Sequence, residues 1–298
     1  AVAVPFISMN RIFSGVVNGL SDYKKHTKIE FISHLIGAIL LLVSLYYYSI
    51  KGVLIAIALT PIIQFSVLII IFGKLLKNYV DFKLISFKVP FLKPLLGFTL
   101  MSFVATVLTN YVEIDLRTLI ADAINENEAG IWTAMTLISK NYMQFLIAIF
   151  TLYILPKYVA IKTSFEFRDE ILNIYKSLLP LVFTGMILVF VFRDILIQVI
   201  FTEAFLGMSI LFKWQLAGDF VRFIANVLSY QFLAKKEISS FISTQIIGLV
   251  MYYFFGRYFL SIYGTEGVVI ALFVSNLIYL GVVLFVLRTT FFGANKDI

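Results

Sequence analysis

The chain has 298 residues, 61% of them hydrophobic and 14% charged, and a mean hydropathy of +0.97. Soluble domains carry roughly a quarter charged residues, so a water-solvated fold is excluded. The net charge of +7 is spread over short stretches between apolar runs, which is the pattern of membrane topology and not of nucleic-acid binding. The absence of cysteine excludes disulfides, thiolate metal sites and a cysteine nucleophile.

Runs near the roughly 20 residues that cross a bilayer as a helix predict nine spans. In the first, Ala1 to Leu20, the residues Arg11, Ser14, Gly15 and Asn18 fall on one helical face. The second, Ile29 to Ile50, begins near His34, read as an interfacial or packed histidine with no carboxylate or second histidine at metal spacing. The third is Gly52 to Phe72, and a basic segment, Lys74 to Lys93, follows it. The fourth, Pro94 to Tyr111, opens a stripe of Thr99, Ser102, Thr106, Asn110 and Glu113. Glu113 to Glu128, with Asp115, Asp122 and Glu126, is then expected as a loop in which Glu113, Asp115 and Arg117 form a solvated cluster. The fifth span, Ala129 to Leu155, carries Thr133, Thr136, Lys140 and Gln144 at spacings of three, four and four. The sixth is Ile171 to Phe192, and Arg193 to Ser209 is expected as a second loop. The seventh, Ile210 to Ala234, carries Gln215, Asp219, Arg222, Asn226 and Ser229 on one face. Ser240 to Phe259 and Gly267 to Leu287 complete the set.

If alternate connections share a side, one set holds Lys24, Lys25, Lys28, Lys74, Lys77, Lys83, Lys88, Lys93, Lys157, Lys162, Arg168, Lys235, Lys236, Arg288 and Lys296, and the other only Lys51, Arg117, Arg193, Lys213 and Arg257. Basic connections resist translocation, so the first set is expected inside, together with the C-terminus.

The first three spans resemble the last three. Arg11 and Arg222 stand 211 positions apart, as do Lys24-Lys25 and Lys235-Lys236. Phe31-Ile32-Ser33 recurs, one position out of step, as Phe241-Ile242-Ser243, and Gly52-Val53 with Ala56 recurs as Gly267-Val268 with Ala271. Shared composition of membrane helices is the competing explanation. Parallel repeats about an axis along the membrane normal recur among transporters. The second copy is preceded by three spans, Pro94 to Phe192, that have no counterpart ahead of the first. Three further helices are therefore expected upstream of Ala1, in a parent of twelve. The expected organisation is an incomplete first lobe over 1–73, a cytoplasmic linker over 74–93 and a second lobe over 94–298.

Ionisable groups at membrane depth are costly and carry most of the functional information. Hydroxyls and amides at these spacings can simply pack helices together. Arg11, Lys140 and Arg222 lie too far from helix ends to snorkel easily, so each needs an anion or a wet cavity. Asp219 could neutralise Arg222 as an intrahelical pair. Arg11 and Lys140 have no comparable acid in their own helices, and a cavity they share would be cationic, suited to an anionic substrate such as phosphate. No phosphate-binding glycine loop, Walker lysine or nucleophile elbow occurs, so ATP bound to this chain is not expected as the energy source. No catalytic residue, cofactor or metal site is expected, and no nucleic-acid partner. An exporter of cationic drugs would want unpaired cavity carboxylates, a membrane enzyme would want a sizeable outer loop, and a non-transporting scaffold would not want the polar seams.

At Phe98-Thr99-Leu100-Met101, Gly130-Ile131-Trp132, Tyr142 with Gln144-Phe145, Tyr153 with Leu155-Pro156, and Trp214-Gln215-Leu216 with Gly218-Asp219, the sequence resembles the Wzx-type O-antigen and enterobacterial common antigen flippases. The resemblance covers essentially the whole chain and corresponds to that family's fourth to twelfth helices. It implies an all-α, two-lobed bundle of the superfamily that includes the multidrug and toxic compound extruders and the lipid II flippases. It also implies no enzymatic activity, but flipping of an undecaprenyl-pyrophosphate-linked oligosaccharide across the bacterial inner membrane by alternating access. By this mapping Arg11, Lys140 and Arg222, with Asn18, Gln144 and Gln215, are candidate head-group contacts, and Asp219 is the candidate coupling site. Membrane lipids and the polysaccharide polymerase and chain-length machinery are the expected partners, and a cation-coupled multidrug exporter is the alternative. Lys140 departs from the pattern, since an acidic residue stands there in the related common-antigen flippases.

Overall fold

A computed structural model describes the backbone of residues 3–19, 23–79 and 92–292. Every described element is helical or a turn, apart from an isolated bridge at Thr163. Six helical stretches are long and apolar enough to cross a membrane: Lys28–Ile71, Leu95–Ala123, Glu126–Ala160, Ser164–Val191, Ile238–Tyr263 and Thr265–Val286. The first is broken at Ser49 and so makes two rods. The expected seventh span is present as a helix, Phe212–Ala234, but is not among those six. Lys213, Asp219 and Arg222 lie along it.

The chain divides into two compact units, Ala1–Pro90 and Phe91–Ile298. The first holds α1 (Val4–Gly19) and α2 (Tyr23–Tyr79). The two helices pack through Phe6 and Phe13 on Phe65, with ring centroids 5.8 and 6.1 Å apart. Asn10 also donates from Nδ2 to the carbonyl oxygen of Pro61 at 2.8 Å. The basic pairs and linker expected at Lys24, Lys25 and Lys74 to Lys93 lie outside the described side chains.

The second unit contains α3 (Leu92–Phe103), α4 (Thr109–Ala123), α5 (Glu126–Ile149), α6 (Leu155–Ala160), α7 (Ser164–Val191), α8 (Arg193–Ile200), α9 (Phe212–Ala234), α10 (Ile238–Tyr263), α11 (Thr265–Val286) and α12 (Arg288–Phe292). Its core gathers Phe150, Tyr158, Phe167, Phe212, Phe223, Phe232 and Tyr279, each fully buried. α9 and α11 approach closely because position 218 lacks a side chain: a Cβ there would sit 3.2 Å from the Cα of Phe273. The outward surface is apolar, with Phe145 at 76% and Leu152 at 71% exposure, a surface that water solvates poorly.

Two π-turns, at Val104–Leu108 and Phe150–Ile154, interrupt otherwise continuous rods. The second directly precedes Leu155-Pro156, where proline withholds an amide hydrogen from the ladder. The first joins α3 to α4, and α4 runs on to Ala123. Only Ile124 and Asn125 separate α4 from α5, whose N-terminus Asn125 caps by accepting from the Glu128 amide at 2.8 Å. The expected loop over Glu113 to Glu128 is therefore mostly helix. The expected loop over Arg193 to Ser209 is likewise α8 followed by a 3-10 stretch, Glu203–Leu211.

The similarity between the first and last spans has a backbone counterpart. Ser49 breaks α2 with φ 54° and ψ −152°. Gly264 joins α10 to α11 with φ 61° and ψ −146°. Ser49 precedes Gly52 by three residues, as Gly264 precedes Gly267. A Cβ on Gly52 would lie 2.6 Å from the carbonyl oxygen of Ser44, and one on Gly267 would lie 2.1 Å from that of Phe259. Ser44 and Phe259 each stand eight residues before their glycine. Each hairpin thus folds by one left-handed residue and closes against a glycine that tolerates no side chain.

Candidate functional site

The second unit encloses a cavity of about 330 Å³ lined from α4, α5, α9, α10 and α11. Among its lining residues are Glu113, Ser139, Lys140, Gln215, Asp219 and Arg222. The helical spacing of Gln215, Asp219, Arg222 and Asn226 places all four on the cavity face of α9. Ser229, the last of that stripe, is buried and donates to the carbonyl oxygen of Asn226 at 3.3 Å, outside the cavity.

Asp219 is 6% exposed and accepts from three side chains. Ser139 Oγ donates to it at 2.6 Å and Gln215 Nε2 at 3.1 Å, and the Tyr142 hydroxyl also donates. Gln215 Nε2 further donates to Ser139 Oγ at 3.1 Å. Buried acceptors in apolar surroundings demand such partners. The expected intrahelical pair between Asp219 and Arg222 is not among the described ion pairs. Arg222 instead donates from Nη2 to Gln245 Oε1 at 2.8 Å and lies 4.2 Å over the Tyr279 ring. Gln245 Nε2 in turn donates to the Tyr279 hydroxyl at 3.1 Å. Both partners of Arg222 are neutral, and most of its N–H donors have no partner among the described residues.

Lys140 is paired with Glu113 across α4 and α5. Continuation of α4 past Tyr111 turns Glu113 from an expected loop residue into a cavity residue. Asp115, expected to be solvated with it, has a buried carboxylate oxygen with no hydrogen-bond partner among the described residues. The cavity of this unit therefore holds two carboxylates, Glu113 and Asp219, beside two cations, Lys140 and Arg222. It is balanced, not cationic by count. Of its two cations, Arg222 is the one outside the described ion pairs.

The remaining sequence candidates fare differently. Arg11 lies exposed on α1 in the first unit, with no ion-pair partner among the described residues. The Asn18 side chain lies outside the described residues. Gln144 is exposed on α5 and does not line the cavity, whereas Thr136 and Lys140 of the same stripe do. On α4, beyond the π-turn, Thr109 and Glu113 stand one turn apart and line the cavity, whereas Asn110 does not. His34 has a carboxylate one turn away after all: Glu30 Oε2 lies 3.2 Å from Nε2. Among the described residues no group of His, Asp and Glu could hold a metal ion. Sequence reasoning missed Ser139, Gln245 and Tyr279. The first was accessible, because Thr136, Ser139 and Tyr142 recur every three residues on the face that meets α9.

A family model described as "Polysaccharide biosynthesis protein" matches residues 1–210. The chain belongs to that family. Its curated relatives include the "Lipid III flippase" of Escherichia coli (strain K12) and that of Shigella flexneri, each 26% identical over 276 residues. The match takes in 92% of this chain but 66% of each relative, so this family member spans just under two thirds of their length. Among solved structures, "Lipid II flippase MurJ, inward closed conformation" superposes with a TM-score of 0.72 at 16% identity, over 96% of this chain and 61% of that one. The fold is thus the all-α flippase fold. With six apolar helices and membrane flippases as relatives, this family member is a multi-pass membrane protein.

Proposed function

We propose that this chain is part of a flippase that carries an undecaprenyl-pyrophosphate-linked oligosaccharide, an O-antigen or related repeat unit, across the bacterial inner membrane by alternating access. The observation that carries the reading is Arg222: a guanidinium inside an apolar bundle, steadied by Gln245 and the Tyr279 ring, with no ion-paired carboxylate among the described residues. Such a group is poised for a phosphate or pyrophosphate, which its planar fork matches. Arg11, its counterpart in the repeat, contributes a second head-group contact, and Gln215, Lys140 and Asn18 contribute polar contacts. Asp219 is the coupling group, held by Ser139, Tyr142 and Gln215. The chain acts as a transporter and not an enzyme, in keeping with relatives that are named flippases.

The reading extends to organisation. The chain corresponds to nine of twelve helices, 1–73 completing a first lobe, 74–93 linking and 94–298 forming a second. The greater length of the relatives is consistent with this. The basic connections and the C-terminus face the cytoplasm. The polymerase and chain-length machinery receive the product.

A cation-coupled drug exporter is the second reading, and the presence of Glu113 in the cavity favours it. Its weakness is that Lys140 neutralises Glu113 and three donors occupy Asp219. The test uses the complete coding sequence in a strain lacking its own flippase. The expected result is that the parent clears the inner-membrane pool of lipid-linked glycan, whereas Arg222→Ala and Arg11→Ala, present at normal levels, let it accumulate. Equal clearance without the protein refutes the flippase reading and leaves drug efflux.

A further inference from the structure

Away from the polar cavity, the second unit carries a groove that transport does not use. It has a volume of about 410 Å³ and is lined by Phe183, Met186, Ile187 and Phe190 of α7, by Leu216, Ala217, Phe220 and Val221 of α9, and by Phe273 of α11. Lys213 is its one ionisable lining residue. The α9 residues of the groove fall on the side of that helix opposite Gln215, Asp219, Arg222 and Asn226. At the Phe190 and Lys213 end the groove runs into a second pocket of about 430 Å³, lined by Arg193, Leu206, Gly207, Ser209 and Ile210 with the same Phe190 and Lys213. An apolar channel therefore ends in a polar pocket bearing two cations.

We propose that this composite groove binds one anionic phospholipid, its acyl chain along α7 and α9 and its phosphate between Arg193 and Lys213. Length and charge both support that occupant. From Phe183 to Phe190, and from Lys213 to Val221, the groove extends about 10 to 12 Å at the helical rise. That is most of one leaflet of a hydrocarbon core about 30 Å thick. Both cations stand at helix ends, Arg193 opening α8 one residue after Phe192 caps α7 and Lys213 lying in the first turn of α9, where a spanning helix meets the head-group region.

Both cations are held in place. Arg193 donates from Nε to Ser209 Oγ at 2.9 Å and from Nη1 to the Phe190 carbonyl oxygen at 2.8 Å. Ser209 Oγ in turn donates a hydrogen bond to Asp194 Oδ1 at 2.6 Å, and that oxygen lies 3.9 Å from Arg193 Nε. Lys213 lies 2.9 Å from Glu266 Oε1 and 5.6 Å from the centre of the Trp214 ring. Asp194 and Glu266 orient the cations from behind, since neither lines either pocket. A zwitterionic lipid brings the same phosphate but adds a quaternary ammonium that Arg193 and Lys213 repel, so selectivity rests on net head-group charge.

The test is native mass spectrometry of the detergent-solubilised protein titrated with phosphatidylglycerol and, separately, with phosphatidylcholine of the same chains. One bound phosphatidylglycerol is expected, favoured over phosphatidylcholine by about tenfold, from two cations near a head group. Arg193→Ala with Lys213→Ala is expected to abolish the preference. Ala217→Trp, which fills the groove and leaves both cations, is expected to abolish the bound lipid. Far-ultraviolet circular dichroism confirms that each variant keeps its helices. The proposal is overturned if the two lipids bind alike, if the double variant keeps the preference, or if Ala217→Trp leaves binding unchanged. It is likewise overturned if inorganic phosphate displaces the lipid at equal concentration, which would make this an anion pocket only.

Discussion

Replacing Asp219 tests whether the buried cluster is a structural unit as well as a transport element. Asp219→Ala strips the shared acceptor from Ser139, Tyr142 and Gln215, and Ser139 and Gln215 are at most 6% exposed. Hydrogen bonds between membrane helices are worth about 0.6 kcal/mol on average and up to about 1.7, so the two that reach Asp219 from α5 amount to about 1 to 3 kcal/mol, the third, from Gln215, lying within α9. Asp219→Asn keeps the shape and one acceptor oxygen but turns an amide donor toward a donor, for an expected loss of about 1 to 2 kcal/mol. Tyr142→Phe removes one donor only, about 1 kcal/mol. Combining Tyr142→Phe with Asp219→Ala should be less than additive, because the second change removes a bond already broken. The assay is reversible unfolding of the solubilised protein followed by helicity, with all variants in one detergent. Stability in Asp219→Ala equal to the parent, or strict additivity in the double variant, would refute the cluster as described.

Four further outcomes follow from the geometry. Ser49→Gly should stabilise the protein, by about 1 kcal/mol, because Ser49 sits at φ 54° in a region that disfavours side chains, and Gly264→Ser should destabilise it by about 1 to 3 kcal/mol; thermal unfolding of the two variants side by side checks the opposed signs. Gly218→Ala should weaken the α9 to α11 contact by about 1 to 3 kcal/mol, since the backbone of Phe273 at 3.2 Å cannot move aside as a side chain would; a loss below that of an exposed helix-surface alanine substitution would contradict it. Glu113→Lys should impair glycan export through charge repulsion with Lys140, and the reciprocal Glu113→Lys with Lys140→Glu should restore it, as read by surface glycan in a flippase-deficient strain. Because Lys140 is about half exposed (49%), the same pair should shift stability by less than about 1 kcal/mol.

The helices were legible because apolar length alone announces them, and the stripe on α9 because its spacing is that of an undistorted helix. What escaped was set by contacts between segments far apart in sequence. Glu113 follows a drop in hydropathy at Asn110, which reads as the end of a span, yet the helix continues because Val112, Leu116 and Ile120 bury against the core. Of the stripe on α3 and α4 only Glu113 lines the cavity, beside Thr109, because packing against α5 and α10 decides which residues of α4 meet it. The partner of Arg222 could not be read from α9, because Gln245 and Tyr279 come from α10 and α11. The hairpin at Ser49 was hidden for a simpler reason. Glycine recurs at 52 and 267, but the residue that turns the chain is glycine in only one copy, Gly264, and serine in the other, Ser49.

The central claim is most directly tested with the complete protein reconstituted in vesicles holding a fluorescent undecaprenyl-pyrophosphate-linked oligosaccharide, with a membrane-impermeant quencher added outside. Quenching is expected to proceed past the outer-leaflet fraction with the parent and to stop there with Arg222→Ala. Quenching that halts at the outer leaflet with the parent, or that runs equally far with Arg222→Ala, would contradict flipping through an arginine-bearing cavity.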